Sequence, residues 1–85
     1  MSEESTPIEK YEELVRFIAQ ALLETDDFKV SSKNRGGQLT ITLSAPEELR
    51  GRVIGKGGRI ARSIRTLLEA ATFDDELRPT LDIAD

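Results

Sequence analysis

Three glycines within four residues, Gly55-Lys56-Gly57-Gly58, limit the folding of this chain more than any other feature. They lie between the apolar pair Val53-Ile54 and a stretch of helical periodicity, so the chain has to turn sharply there. With no Cβ to clash, such a loop lets another molecule approach the backbone closely and presents N–H groups to it. Lys56 places a mobile positive charge at the tip. Glycine also serves simply to reverse a chain, so four residues of G-x-x-G specify little by themselves.

The stretch beyond the loop predicts a helix from about Arg59 to Ala71. On a wheel begun at Arg59, Leu67, Ile60, Ala71, Ile64, Leu68 and Ala61 fall between about 80° and 200°, which predicts a core face. Arg59, Arg62 and Arg65 fall on the opposite side. Arg59 stands in the expected first turn, where the helix dipole disfavours a cation unless an anion normally sits there.

The rest of the chain reads as short regular elements. Thr6-Pro7-Ile8-Glu9 is a helix start, with Thr6 as cap, Pro7 at the first helical position and Glu9 closing a capping box. Tyr11, Leu14, Val15, Ile18 and Leu22 continue at helical spacing to about Leu23. Phe28 and Val30 alternate with polar residues as a short strand, and Lys33-Asn34-Arg35-Gly36-Gly37 reads as a turn. Leu39, Ile41 and Leu43 alternate as a second, half-buried strand, which predicts an antiparallel hairpin. Ser44-Ala45-Pro46-Glu47 repeats the capping-box pattern ahead of a very short helix to about Arg50. Pro79 to Ala84 alternates as a last strand. The expected order is α-β-β-α-α-β, an α+β fold with helices packed on one face of a three-stranded sheet. Residues 1–5 are expected to be disordered and residues 6–85 to form a single domain.

Composition removes several functions. Cysteine and histidine are both absent, which excludes disulfides, thiolate metal sites and the commonest general base. The acidic clusters Glu12-Glu13, Asp26-Asp27 and Asp74-Asp75-Glu76 lack metal-loop spacing. The expectation is a protein that is not an enzyme and needs no cofactor or metal. Neither a leader segment nor a membrane span is legible, so a cytoplasmic location is expected. The net charge of −4 argues against a nucleic-acid partner, but its distribution reverses that. Leu49 to Leu68 holds Arg50, Arg52, Lys56, Arg59, Arg62 and Arg65 with no acid, and all sixteen acidic residues lie elsewhere. A basic segment in an acidic chain is a local electrostatic footprint for phosphates.

Other glycine motifs fail on particular residues. A P-loop needs G-K-[ST], and Gly57 follows Lys56; a dinucleotide fingerprint needs glycine where Ile60 stands. An RRM needs aromatic residues on its central strands, and the Leu39-Leu43 strand carries none.

Val53-Ile54-Gly55-Lys56-Gly57-Gly58-Arg59-Ile60-Ala61-Arg62-Ser63-Ile64 resembles the V-I-G-x-x-G signature of KH domains. With the element order above, Thr6 to Ala84 resembles a type II, bacterial-type KH domain. The length, the Ala45-Pro46-Glu47 lead-in and the residues after the loop are most similar to the KhpA-type proteins. The resemblance implies single-stranded RNA binding, in the role of an RNA chaperone or post-transcriptional regulator. It implies that Gly55, Lys56, Gly57 and Gly58 hold phosphates, while Ile54, Ile60 and the edge of the Leu39-Leu43 strand line a base groove. Arg50, Arg52, Arg59 and Arg62 would add charge. Ala61 departs from the large aliphatic residue many KH domains place there, so Ile60 and Ile64 are expected to supply the apolar surface. Two alternatives use the same surface: single-stranded DNA as ligand, or assembly as a homodimer or with a larger KH-containing RNA-binding protein.

Overall fold

The computed structural model describes residues 6–84, with Lys56 and Gly57 described by their backbone alone. The expected disorder of residues 1–5 therefore falls outside the described residues, as does Asp85. Helix α1 (Pro7–Leu23) starts as its sequence dictates. The Thr6 hydroxyl accepts from the Glu9 N–H at 3.1 Å, and the Glu9 carboxylate accepts from the Thr6 N–H at 3.0 Å. Two backbone donors that the helix cannot satisfy are thus paired.

Strands β1 (Lys29–Arg35) and β2 (Gln38–Ser44) form an antiparallel hairpin, with Lys29 opposite Ser44 and Arg35 opposite Gln38. Only Gly36 and Gly37 remain as the turn, at φ of 57° and 96°. A two-residue turn with both φ positive suits the twist of the flanking strands. Lys33, Asn34 and Arg35, expected in the turn, are strand residues instead. Their polar side chains reflect exposure rather than irregular backbone. Asn34 Oδ1 accepts from the Gly37 N–H at 3.0 Å and closes the turn. Phe28 precedes β1 rather than belonging to it.

Helix α2 (Glu47–Ala70) then crosses over to β3 (Arg78–Ala84), which pairs parallel to β2. The sheet order is β1-β2-β3, and a parallel neighbour requires such a crossover. Helical turns run further than expected: the Gly55–Gly58 stretch, expected as a loop between two helices, lies within α2. Gly58 has φ of 70°, which no straight α-helix accommodates, so the helix axis changes direction there. Two consecutive helical arms result, and the order is α-β-β-α-α-β. The second capping box does not form: Ser44 belongs to β2, and Pro46 occupies the cap with no side-chain hydrogen bond.

Both helices cover one face of the sheet. Tyr11, Val15, Ala19 and Leu23 of α1 meet Leu39, Ile41 and Leu43 of β2 and Val53, Ala61, Ile64 and Leu68 of α2. Each large aliphatic side chain buried there contributes roughly 1.5–3 kcal/mol. Leu67, expected in this core, is 43% exposed, whereas Ile60 and Ala71 are partly buried against it. Two polar contacts fasten the layers. The Ser32 hydroxyl donates to a Glu12 carboxylate oxygen, tying β1 to α1. Tyr11 Oη accepts from the Phe73 N–H at 3.1 Å, and the two rings meet edge-on with centroids 4.9 Å apart.

Candidate nucleic-acid interface

Helix α2 builds the site almost alone. Residues three and four apart share a helix face, and Glu48, Gly51, Arg52, Gly55 and Arg59 follow that spacing. Together with Ile60 they line an open cleft of about 570 Å³. The first arm is anchored through Val53, which is fully buried, and the second through Ala61, Ile64 and Leu68. Arg59 and Ile60, beyond Gly58, line the same opening as Glu48 to Gly55 before it. Arg52 and Arg59 supply two guanidinium groups, Ile60 an apolar wall, and Glu48 one carboxylate.

Gly51 and Gly55 give the cleft bare backbone. A methyl group at either position would meet nothing within 4 Å, and neither has a positive φ. Glycine inside a helix costs roughly 1 kcal/mol relative to alanine. Neither crowding nor backbone conformation demands that cost at these two positions. Close approach by another molecule would.

Four expected site residues, Arg52, Gly55, Arg59 and Ile60, meet in this cleft. Gly58 lies at the bend. Lys56 and Gly57 are described by their backbone alone, so the Lys56 side chain is not placed. Ile54 does not share the burial of its neighbour Val53: it is 56% exposed and does not line the cleft. Arg50 has another task, since its Nε donates to the Ala45 carbonyl at 3.0 Å across the start of α2. Arg62 is exposed on the second arm and is not among the cleft residues. Two expected contributors to the groove are displaced. β2 is the central strand, with Leu39, Ile41 and Leu43 buried under the helices, and Ile64 is fully buried as well. Glu48 and Gly51 were not anticipated, although helical spacing back from Gly55 reaches both.

Guanidinium groups beside exposed helix backbone suit a phosphate chain, and the Ile60 side suits an apolar or flat group. Among the described residues, no group of three or more acidic side chains is placed to hold a metal ion.

The chain matches the family described as KhpA/KhpB, KH domain, over residues 12–83. Curated relatives carry the name RNA-binding protein KhpA. The protein from Halalkalibacterium halodurans is 42% identical over 73 residues, covering 85% of this chain and 96% of the relative. That from Treponema pallidum is 43% identical over 75 residues, covering 87% and 94%. That from Caldanaerobacter subterraneus subsp. tengcongensis is 42% identical over 72 residues, covering 84% and 96%. No solved structure matches the chain.

Proposed function

The chain belongs to the KhpA/KhpB KH-domain family, and on that footing we propose that it binds single-stranded RNA through the Gly55–Gly58 turn and the adjoining cleft. The observation that carries this reading is the meeting of Arg52, Gly55, Arg59 and Ile60 in one opening beside that turn. The relatives' name, RNA-binding protein, supports the same ligand. Phosphates lie against the turn and the two guanidinium groups, and bases lie toward Ile60. The footprint, carried over from KH domains as a class, is about four nucleotides. The proposed role is that of an RNA chaperone or post-transcriptional regulator in the cytoplasm. No helix among the described residues is long and apolar enough to cross a membrane.

Assembly with another KH chain is a second reading, favoured by the exposure of Phe17 at 72%. A complex that survives RNase treatment would support it.

Replacing Lys56 and Gly57 with Asp tests the RNA reading. The double variant removes an attractive charge and adds two repulsive ones where phosphates arrive. The expected result is a folded protein, by circular dichroism melting, that no longer binds a single-stranded oligonucleotide. Were the glycines needed only to reverse the chain, stability would fall instead. A folded variant that binds RNA as well as wild type refutes the clamp.

A further inference from the structure

The other face of the sheet carries the second concentration of positive charge. Six basic residues lie outside the 49–68 segment, and Lys29, Lys33, Arg35 and Arg78 are four of them. Side chains alternate along a strand. In β2, Leu39, Ile41 and Leu43 are buried, so Gln38, Thr40, Thr42 and Ser44 face the other way. In β1 the inward positions include Val30 and Ser32, which leaves Lys29, Ser31, Lys33 and Arg35 outward. In β3 the burial of Leu81 sets Arg78, Thr80 and Asp82 outward.

Strand register turns these positions into rows. Arg35, Gln38 and Arg78 form one row, Lys33, Thr40 and Thr80 the next, and Ser31, Thr42 and Asp82 the third. Neighbouring strands are about 4.8 Å apart, so the Arg35 and Arg78 backbones stand roughly 10 Å from each other. Lys33 follows Arg35 about 7 Å along the same strand. Three cations therefore surround a patch of amide and hydroxyl groups. Asp82 is the one acidic residue in these rows; Asp26, Asp27 and Glu76 lie beyond the strand ends.

We propose that this open sheet face is a second RNA contact surface, one that holds the sugar-phosphate backbone of RNA extending beyond the loop. The inference rests on the RNA-binding reading above. Charge complementarity and the hydroxyl lining select a polyanion rich in hydrogen-bonding oxygens. The absence of aromatic residues from the rows excludes base stacking, so contact here is independent of sequence. Cations on the edge strand β1 also discourage strand pairing. β3 is an edge as well, so Arg78 also serves that role; what edge protection leaves unexplained is the alignment of Arg35 and Arg78 in one row on the same open face.

The geometry sets a length requirement. The shortest dimension of the molecule is 20 Å. At about 3.4 Å per stacked nucleotide, passage from the helical side to the sheet face takes roughly six nucleotides beyond those at the loop. A five-nucleotide RNA is thus blind to the sheet face, whereas a twenty-nucleotide RNA reaches it.

The test compares oligoadenylates, which stack, of these two lengths on wild type and on the triple variant Lys33→Gln, Arg35→Gln, Arg78→Gln. Each lost phosphate contact lowers the single-strand salt slope by about 0.7. For the long RNA the slope should therefore fall by about 2, and affinity at 0.1 M salt by as much as a hundredfold. Binding of the short RNA should be unchanged. A companion variant, Lys10→Gln with Arg16→Gln on α1, removes charge elsewhere and should leave both lengths unaffected. Unchanged long-RNA affinity in the triple variant overturns the proposal while the loop reading stands. Equal losses for both lengths, or an equal loss in the companion variant, mark a general charge effect and overturn it too. Wild type that binds neither RNA overturns the RNA reading itself, and this inference with it.

Discussion

Gly51→Ala should make this protein more stable and a poorer RNA binder. Gly51 lies in the interior of α2 with no positive φ, and a methyl group placed there meets nothing within 4 Å. Alanine at such a site recovers the backbone entropy that glycine gives up, roughly 0.5–1 kcal/mol. For a domain of this size, 1 kcal/mol raises Tm by about 4–8 °C. The same methyl group would project into the cleft shared with Arg52, Gly55 and Arg59. If it holds an RNA backbone away from one or two hydrogen-bond partners worth about 1 kcal/mol each, affinity falls roughly five- to thirtyfold. Calorimetric melting and an oligonucleotide titration on the same preparation measure both quantities. A higher Tm with unchanged affinity would refute the idea that bare backbone at this position is kept for a ligand. A lower Tm would refute the account of α2 as unstrained at Gly51.

Gly37→Ala should destabilise the fold by roughly 2–4 kcal/mol in a urea titration, because a left-handed φ and a backbone collision coincide there. The added Cβ would lie 2.6 Å from the Glu76 carbonyl oxygen, with φ at 96°. Glu24→Gly should stabilise by up to about 1 kcal/mol, since Glu24 caps α1 at φ of 60° and glycine reaches that region without strain; a drop in Tm would show that its side chain matters more than its backbone.

The sequence was most legible where local chemistry and tertiary contacts agree. The Thr6–Glu9 box and the stripe from Tyr11 through Val15 define α1 by short-range rules, and the helix spans Pro7–Leu23. The alternation of Leu39, Ile41 and Leu43 is a central strand because every second residue is buried. Legibility failed where composition and environment diverge. Lys33, Asn34 and Arg35 have the makeup of a turn, yet pairing with Thr40, Leu39 and Gln38 keeps them extended. Glycine predicts an end to the first arm of α2 near Arg50, yet Gly51 and Gly55 lie within helical turns. Packing of Val53 on the core overrides their poor propensity. The site followed the same division. Arg52, Gly55, Arg59 and Ile60 were recognisable from the motif and its charge. The task of Arg50 at Ala45 and the burial of Ile64 depend on how α2 sits on the sheet, which periodicity alone does not fix.

Segregation of charge explains how a chain of net charge −4 presents cationic surfaces. At physiological ionic strength the Debye length is about 8 Å, well below the 34 Å long dimension of the molecule. A phosphate at the Gly55–Gly58 turn is therefore governed by charges within one or two helical turns. In the sequence, that neighbourhood is the acid-free segment from Leu49 to Leu68. Many of the acids are grouped at element ends: Asp26 and Asp27 before β1, Glu47 and Glu48 at the start of α2, Asp74 to Glu76 before β3. Glu47 and Glu48 are favourable there, because a helix N-terminus attracts negative charge. Glu48 itself lines one end of the cleft, so a nucleic acid that strays toward the start of α2 meets repulsion there. On the proposed reading, sign and position together thus direct the first phosphates to the glycine turn rather than to the start of α2.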